Sequence, residues 1–160
     1  MKKTLFAFVA MFATVTVLNA QNISGRYVQE SKEMIDGIQY LNAIANEISI
    51  TQTKDSITIV RITPSSAEET STSTEVLPAN GAVKTRKTQS GRTINSSIKY
   101  DAATKTYTLV TTYSYVNKTD IEYKNTEVWT IADDGTLTVT KTSDATETDD
   151  WTIKAIFKKA

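Results

Sequence analysis

The chain has no cysteine and no histidine, and only two prolines and five glycines among its 160 residues. Without cysteine there can be no disulfide framework, no zinc-thiolate site and no cysteine nucleophile. Without histidine, the commonest metal ligand and the general base of serine and cysteine triads are missing. The sequence therefore excludes the histidine-dependent hydrolases, and we expect no metal site and no cofactor.

The first twenty residues have the pattern of a secretory signal peptide. Lys2 and Lys3 form a short basic start, residues 4–18 are apolar with interspersed threonines, and Ala20 precedes the polar Gln21. The apolar stretch is 15 residues long, and a membrane-spanning helix needs about 20. We therefore interpret residues 1–20 as a bacterial signal peptide rather than as a membrane anchor. The expected product, residues 21–160, is one domain exported to the periplasm or the extracellular space, with no remaining membrane span.

Charge gives no sign of a nucleic-acid partner. The whole chain has 18 basic and 18 acidic residues, so removing Lys2 and Lys3 leaves 16 against 18, a net charge of −2. Nucleic-acid binding would show as a clustered excess of lysine and arginine. We expect no nucleic-acid partner, and we expect a monomer.

Period-two alternation of apolar and polar residues runs through nearly all of the remaining chain, which predicts strands. The 28 threonines fall mostly on the polar side of this alternation, where threonine is a favoured strand residue. The Asp133-Asp134-Gly135 run between two alternating segments is a hairpin signal. The predicted strands are residues 23–31, 47–52, 56–63, 70–77, 82–88, 92–101, 106–116, 120–132, 136–143 and 151–158.

One segment departs from the alternation. Residues 32–46 place apolar side chains closer to a 3.6-residue period, with Gly37 as an interruption. This spacing predicts a short helix or a helix-turn-helix between the first two strands.

The alternation leaves one face of each later strand apolar and the other covered by threonine, lysine, glutamate and serine. Antiparallel strands of this kind either stack as a sandwich or close into a barrel. The near absence of long connections favours an up-and-down antiparallel barrel, and ten strands leave room inside for a cavity. The predicted fold class is all-β.

Three segments resemble a known group of barrels. Gly25-Arg26-Tyr27 resembles the Gly-x-Trp opening of lipocalins, residues 127–139 (EVWTIADDGTLTV) look like the penultimate hairpin of bacterial lipocalin-like proteins, and residues 151–159 are similar to their closing strand. The layout is similar to the fatty-acid-binding branch of the calycin group, and it implies a barrel that binds small molecules. However, Lys154-Ala155-Ile156 stands where that branch tends to place an Arg-x-Tyr carboxylate clamp, which argues against a free fatty acid as the ligand.

Aromatic residues dominate the predicted interior, and one carboxylate shares their face. In the alternation, Glu127 falls on the same side of its strand as Tyr123 and Trp129. A carboxylate that faces the interior is costly unless it is paired. Its partner could be Arg86, Arg92 or Lys141. Alternatively, a bulge or strand end would turn Glu127 to solvent. Arg61 also falls on an apolar face by alternation, and the same two alternatives apply to it. The aromatic rings could line a pocket or simply fill the core. The candidate ligand-binding residues are Tyr100, Tyr107, Tyr113, Tyr115, Tyr123, Glu127, Trp129 and Trp151.

Together these features predict an exported, non-catalytic protein that binds a small apolar or amphipathic molecule in a barrel cavity. The alternative is a structural or interaction module of the cell envelope with a packed core and no ligand. An enzyme with paired catalytic carboxylates is disfavoured, because among the acidic residues only Glu127 is predicted to face inward.

Overall fold

The structure, a computed structural model, describes residues 20–38 and 40–160 of the chain, and these residues form ten strands. The predicted signal peptide therefore lies almost entirely outside the described residues. No helix among those residues is long and apolar enough to cross a membrane. The strands are β1 (Gly25–Asp36), β2 (Glu47–Gln52), β3 (Ser56–Pro64), β4 (Thr70–Pro78), β5 (Lys84–Lys87), β6 (Thr93–Asp101), β7 (Thr106–Ser114), β8 (Ile121–Ile131), β9 (Leu137–Ala145) and β10 (Trp151–Lys159).

Every hydrogen-bonded strand pair in the sheet is antiparallel, and the first strand pairs with the last. The spatial order is β4-β3-β2-β1-β10-β9-β8-β7-β6-β5. β4 and β5 are thus the two ends of one sheet that curls into a nearly closed up-and-down barrel, and they do not pair with each other. The predicted all-β, ten-stranded barrel is confirmed. This architecture supports the calycin layout that the resemblance implies, while the lipocalin branch and the bacterial source stay predictions.

The predicted helical segment is not confirmed. Residues 32–36 belong to the second half of β1, and the described residues between β1 and β2 (37–38 and 40–46) form turns, bends and irregular backbone. Residues 32–36 pair with β10 in a ladder whose register shifts twice, between Gln29 and Ser31 and between Met34 and Asp36. Each shift moves side chains relative to the strand pleat. An extended strand interrupted in this way can imitate the helical spacing of apolar residues.

The tight turns follow the local sequence. Gly135 adopts φ +81° in the turn between β8 and β9, where its amide donates to the carbonyl of Ala132 at 2.9 Å. Glycine populates this left-handed region without the steric cost that a Cβ brings. The hairpin predicted at Asp133-Asp134-Gly135 is therefore present.

The apolar core occupies one end of the barrel interior. Its largest fully buried side chains include Trp129, Tyr27 and Phe157, which come from three different strands. The segment before β1 helps to cover this end: Ile23 is buried, and its carbonyl accepts a hydrogen bond from the hydroxyl of Tyr27 at 3.0 Å. The other end of the interior is polar, and it is there that the candidate site lies.

Candidate functional site

The polar end of the interior is built by strand register. Glu127 on β8 lies opposite Leu109 on β7 and Lys141 on β9, so these three side chains share one level of the barrel. The next level towards the polar end places Asn125 opposite Thr111 and Ser143. The inward positions therefore become polar at Glu127 on β8 and Lys141 on β9, and one level further along, at Thr111, on β7.

Glu127 is the centre of a buried ion-pair network. Its Oε2 accepts a hydrogen bond from Nη2 of Arg61 at 3.2 Å and another from the indole Nε1 of Trp129 at 2.9 Å. Its Oε1 lies 3.9 Å from Nζ of Lys141. Nη1 of Arg61 lies 3.6 Å from Glu75 on β4. Because the carboxylate is paired and hydrogen-bonded, its burial is tolerated.

The pKa values of this network follow from the competition between burial and charge. Burial alone would raise the pKa of Glu127, but Arg61 and Lys141 outweigh it and hold that pKa below its ordinary value. Burial lowers the pKa of Lys141, and the neighbouring Arg61 adds to this effect against the attraction of Glu127. Burial would lower the pKa of Arg61 too, but Glu127 and Glu75 raise it overall. Glu127 and Arg61 are thus held in their charged forms.

A cavity of about 170 Å³ adjoins the ion-pair network, and we call it the polar cavity. It is bordered by side chains of β4 and β5, the two strands that do not pair, so its wall is incomplete along their free edges. Among the lining residues that the structure describes, Leu109 is the only aliphatic one. The polar cavity is lined by Arg61, Ser73, Thr74, Glu75, Arg86, Leu109, Thr111, Tyr113, Asn125, Glu127 and Lys141.

Of the eight residues predicted to bind a ligand, Tyr113 and Glu127 line the polar cavity. Glu127 faces inward, and of its three predicted partners Lys141 lies beside it. Arg92 instead pairs with Glu122 and donates to the hydroxyl of Tyr123 at 3.3 Å. Arg61, whose inward parity was noted in the sequence, is the closer partner of Glu127.

Three further predicted residues surround this end without lining the cavity. Tyr123 stacks on Tyr113 with ring centroids 4.3 Å apart. Trp129 is fully buried beneath the network, to which it contributes its indole hydrogen bond. Trp151 is half-buried near Nζ of Lys141, which lies 5.6 Å from the centre of its ring. These three rings pack in the walls around the cavity and do not line it. Their contacts are those of the alternative in which the aromatic rings fill the core.

Two more of the predicted residues lie at the opposite end of the barrel. Tyr100 and Tyr107 pack with ring centroids 4.8 Å apart and line a second, open pocket of about 430 Å³ beside Ala20 and Asn22. The hydroxyl of Tyr107 donates to the carbonyl of Gln21. These two tyrosines therefore belong to the end that the N-terminal segment covers, not to the polar cavity.

Tyr115 is the predicted residue that the structure places furthest from an interior role. It follows the end of β7, after a register shift between Tyr113 and Ser114. Its hydroxyl donates to Glu147 at 2.9 Å, and Nζ of Lys118 lies 5.4 Å from its ring centre. The prediction that Tyr115 faces the interior assumed an unbroken alternation, and the bulge breaks it.

Several cavity-lining residues were not among the predicted set. Thr111 has the same parity as Tyr113, and Asn125 has the same parity as Glu127, so alternation by itself would have placed both inside. The sequence interpretation chose only aromatic residues and one carboxylate as candidates, so it passed over both of them. Ser73 and Glu75 could not be found in this way, because β4 is mostly serine and threonine on both faces.

A comparison with protein families and one with curated proteins each found no match. Among solved structures, a mutant of the fluorescent protein UnaG matches with a TM-score of 0.42 and 16% sequence identity, over 71% of this chain and 70% of that one.

Proposed function

We propose that this protein is an exported, non-catalytic binding protein that holds a small ligand in the interior of its barrel. The observation that carries the proposal is the polar cavity, bounded by side chains from β3, β4, β5, β7, β8 and β9. Small-molecule sites are concave, and a few convergent polar groups in them fix the orientation of the ligand. The lining directs the proposal towards the polar part of an amphipathic ligand rather than towards a fully apolar one.

The state of the carboxylates supports binding rather than catalysis. Glu127 is ion-paired with Arg61 and Lys141, and Glu75 is ion-paired with Arg61. A general acid at neutral pH needs a raised pKa, whereas the pKa of Glu127 is lowered. We therefore propose that these groups orient a ligand and do not transfer protons to it.

Native mass spectrometry of the purified protein, before and after treatment with organic solvent, tests the binding proposal. We expect a bound mass that the treatment removes, together with saturable quenching of tryptophan fluorescence when a fluorescent amphiphile is titrated. Trp129 is a useful reporter because its indole nitrogen donates to a carboxylate of the cavity wall. The absence of both a bound mass and saturable binding would contradict the proposal.

Export is tested separately. Expression of residues 1–160 in a bacterium, followed by fractionation and N-terminal sequencing, should yield a protein that begins at Gln21 in the periplasm or the medium. Replacing Lys2 and Lys3 by glutamate should retain the unprocessed chain in the cell, because the basic start is part of the export signal. Full-length protein in the cytoplasm in both cases would contradict export.

The alternative, an interaction module, is favoured by one surface feature. Ile35, Ile38 and Leu41 lie at the end of β1 and in the segment that follows, and they are 58%, 58% and 50% exposed. Neighbouring exposed apolar side chains can mark a contact with another protein. A stable complex with an envelope protein that is lost when Ile38 and Leu41 are changed to serine, with no ligand found in the barrel, would favour this alternative.

A further inference from the structure

The polar cavity has an unequal number of charges. Arg61, Arg86 and Lys141 face Glu75 and Glu127, so three cations meet two carboxylates and one positive charge is left over. Arg61 contacts both carboxylates, and Lys141 lies 3.9 Å from one of them. Arg86 forms no ion pair within the part of the chain that the structure describes, residues 20–38 and 40–160. Its guanidinium is therefore available at the cavity border to meet an anion.

The cavity also contains an unpaired acceptor. Oδ1 of Asn125 is buried and has no hydrogen-bond partner among the described residues. A buried polar atom without a partner is costly, and most such atoms in folded proteins are satisfied by protein, water or ligand. Because Oδ1 is an acceptor, the group that satisfies it must bring an N–H or O–H.

The free edges of β4 and β5 lie beside Arg86. β4 and β5 are the unpaired ends of the sheet, and both contribute to the cavity wall. Near the loop that joins them, Nζ of Lys84 donates to the carbonyl of Val76 at 2.8 Å and ties the two strands together. Arg86 lies further along β5, past this tie, so a molecule that passes between the free edges meets its guanidinium.

We propose that the polar cavity binds a small hydroxycarboxylate that enters between β4 and β5. The carboxylate of the ligand pairs with Arg86, and its hydroxyl donates to Oδ1 of Asn125. This inference rests on the proposed binding function and names the ligand class of the same cavity. The cavity volume of about 170 Å³ suits a small molecule, and Leu109 alone offers an aliphatic contact for a chain.

The experiment uses matched probes on the protein from Gln21 to Ala160. Lactate, 2-hydroxyhexanoate and phenyllactate each carry a carboxylate and one hydroxyl. Propionate, hexanoate and phenylpropionate lack the hydroxyl, and lactamide, 2-hydroxyhexanamide and phenyllactamide lack the charge. Binding is followed by isothermal titration calorimetry and by tryptophan fluorescence. We expect at least one hydroxycarboxylate to bind about tenfold more tightly than both of its analogues, which is the ratio that one unmade hydrogen bond produces.

Two variants assign the groups. Arg86→Gln should weaken binding of the carboxylate probe about tenfold, since a hydrogen bond to a charged group is lost. It should leave binding of the amide probe unchanged. Lys87→Gln is the matched control: it removes the same charge from the next residue, which does not line the cavity. Asn125→Leu should remove the preference for the hydroxylated probe over its analogue. This variant should fold normally, because it replaces an unpaired buried polar group by an apolar one.

The outcomes separate this inference from the proposed function. Equal binding of acids and amides, or equal effects of Arg86→Gln and Lys87→Gln, would overturn the assignment of a carboxylate to Arg86. Binding of hexanoate as tightly as 2-hydroxyhexanoate, in a protein that also prefers long alkyl chains, would leave the binding function in place but overturn this ligand class. If no probe binds, this ligand class is overturned as well; the proposed function fails too only when mass spectrometry also finds no bound mass and the amphiphile does not bind.

Discussion

Removal of the Glu127 carboxylate tests the electrostatic description of the interior most directly. Glu127→Gln keeps the shape of the side chain and an acceptor for the indole of Trp129, but it leaves Arg61 and Lys141 without their shared carboxylate. The cavity wall then has three positive charges and one negative charge, where the unchanged protein has three positive and two negative. We expect a large loss of stability from this single change.

The magnitude follows from the distances. With an effective dielectric constant of about 20, Coulomb's law gives an attraction of about 5 kcal/mol at the 3.2 Å between Glu127 and Arg61, and about 4 kcal/mol at the 3.9 Å to Lys141. Desolvation of each ion offsets most of this, and breaking one partner of a buried pair costs about 3–5 kcal/mol in practice. Arg61 keeps its contact with Glu75, and the cavity is open on one side. We therefore expect Glu127→Gln to lower the free energy of unfolding by about 3 kcal/mol, which corresponds to a fall in Tm of roughly 6–12 °C.

Urea unfolding followed by tryptophan fluorescence is the assay, and a double-mutant cycle makes it specific. The cost of Glu127→Gln plus that of Arg61→Met should exceed the cost of the double variant by about 2 kcal/mol, since the two residues contact each other. Glu47→Gln is the control. It breaks a shorter ion pair, at 2.7 Å, in which the side chain of Arg26 is 59% exposed, and solvent screening should make its effect small. The reasoning is refuted if Glu127→Gln costs no more than Glu47→Gln, or if the cycle is additive.

The pH dependence of the same variant follows from the lowered pKa of Glu127. Burial opposes this lowering, but Arg61 and Lys141 outweigh it. A carboxyl whose pKa is lower in the folded state contributes stability that is complete above its unfolded pKa, about 4.3 for glutamate, and that is lost as pH falls through the folded pKa. The difference in unfolding free energy between wild type and Glu127→Gln should therefore shrink below about pH 4. A difference that is constant down to about pH 2 would contradict the pairing.

Three smaller predictions concern the ends of the barrel. Gly37→Ala should be strongly destabilising in thermal unfolding, because its φ is +80° and a Cβ would lie 2.4 Å from the backbone oxygen of Asp150. Gly135→Ala, at φ +81°, brings a Cβ only into ordinary contact with the Lys159 side chain at 3.8 Å, so it should cost only the left-handed backbone strain of about 1–2 kcal/mol. Equal losses would contradict the packing argument. Tyr107→Phe should speed amide hydrogen exchange at residues 21–24, since it removes the hydroxyl that donates to the carbonyl of Gln21. Unchanged exchange there would show that this bond does not hold the segment.

The alternation of apolar and polar residues in the sequence predicted most of the fold. Where a prediction from it was wrong, the cause is local. Period-two patterns located most of the ten strands, because one side of those strands faces a core, whereas β4 and β5 have little or no buried side and were delimited by the turn residues around them. The apparent helix over residues 32–46 and the inward placement of Tyr115 both failed at shifts in strand register. A bulge inserts a residue on one strand only, and the partner strand is not visible in a local window of sequence.

The sequence by itself determined that this chain forms antiparallel strands with one apolar side, since residue period and turn chemistry are local properties. Only the tertiary structure decided that Arg61, Glu75, Arg86, Asn125 and Glu127 meet around one cavity. Arg61, Glu75 and Arg86 lie on β3 to β5, whereas Asn125 and Glu127 lie on β8. These two groups of strands are distant in sequence, and the curl of the sheet brings them together at one end of the barrel. The physical reason is that the free energy of a buried charge depends on its partners in space, and in this nearly closed barrel Glu127 finds one partner on the neighbouring strand and another, Arg61, on a strand distant in sequence.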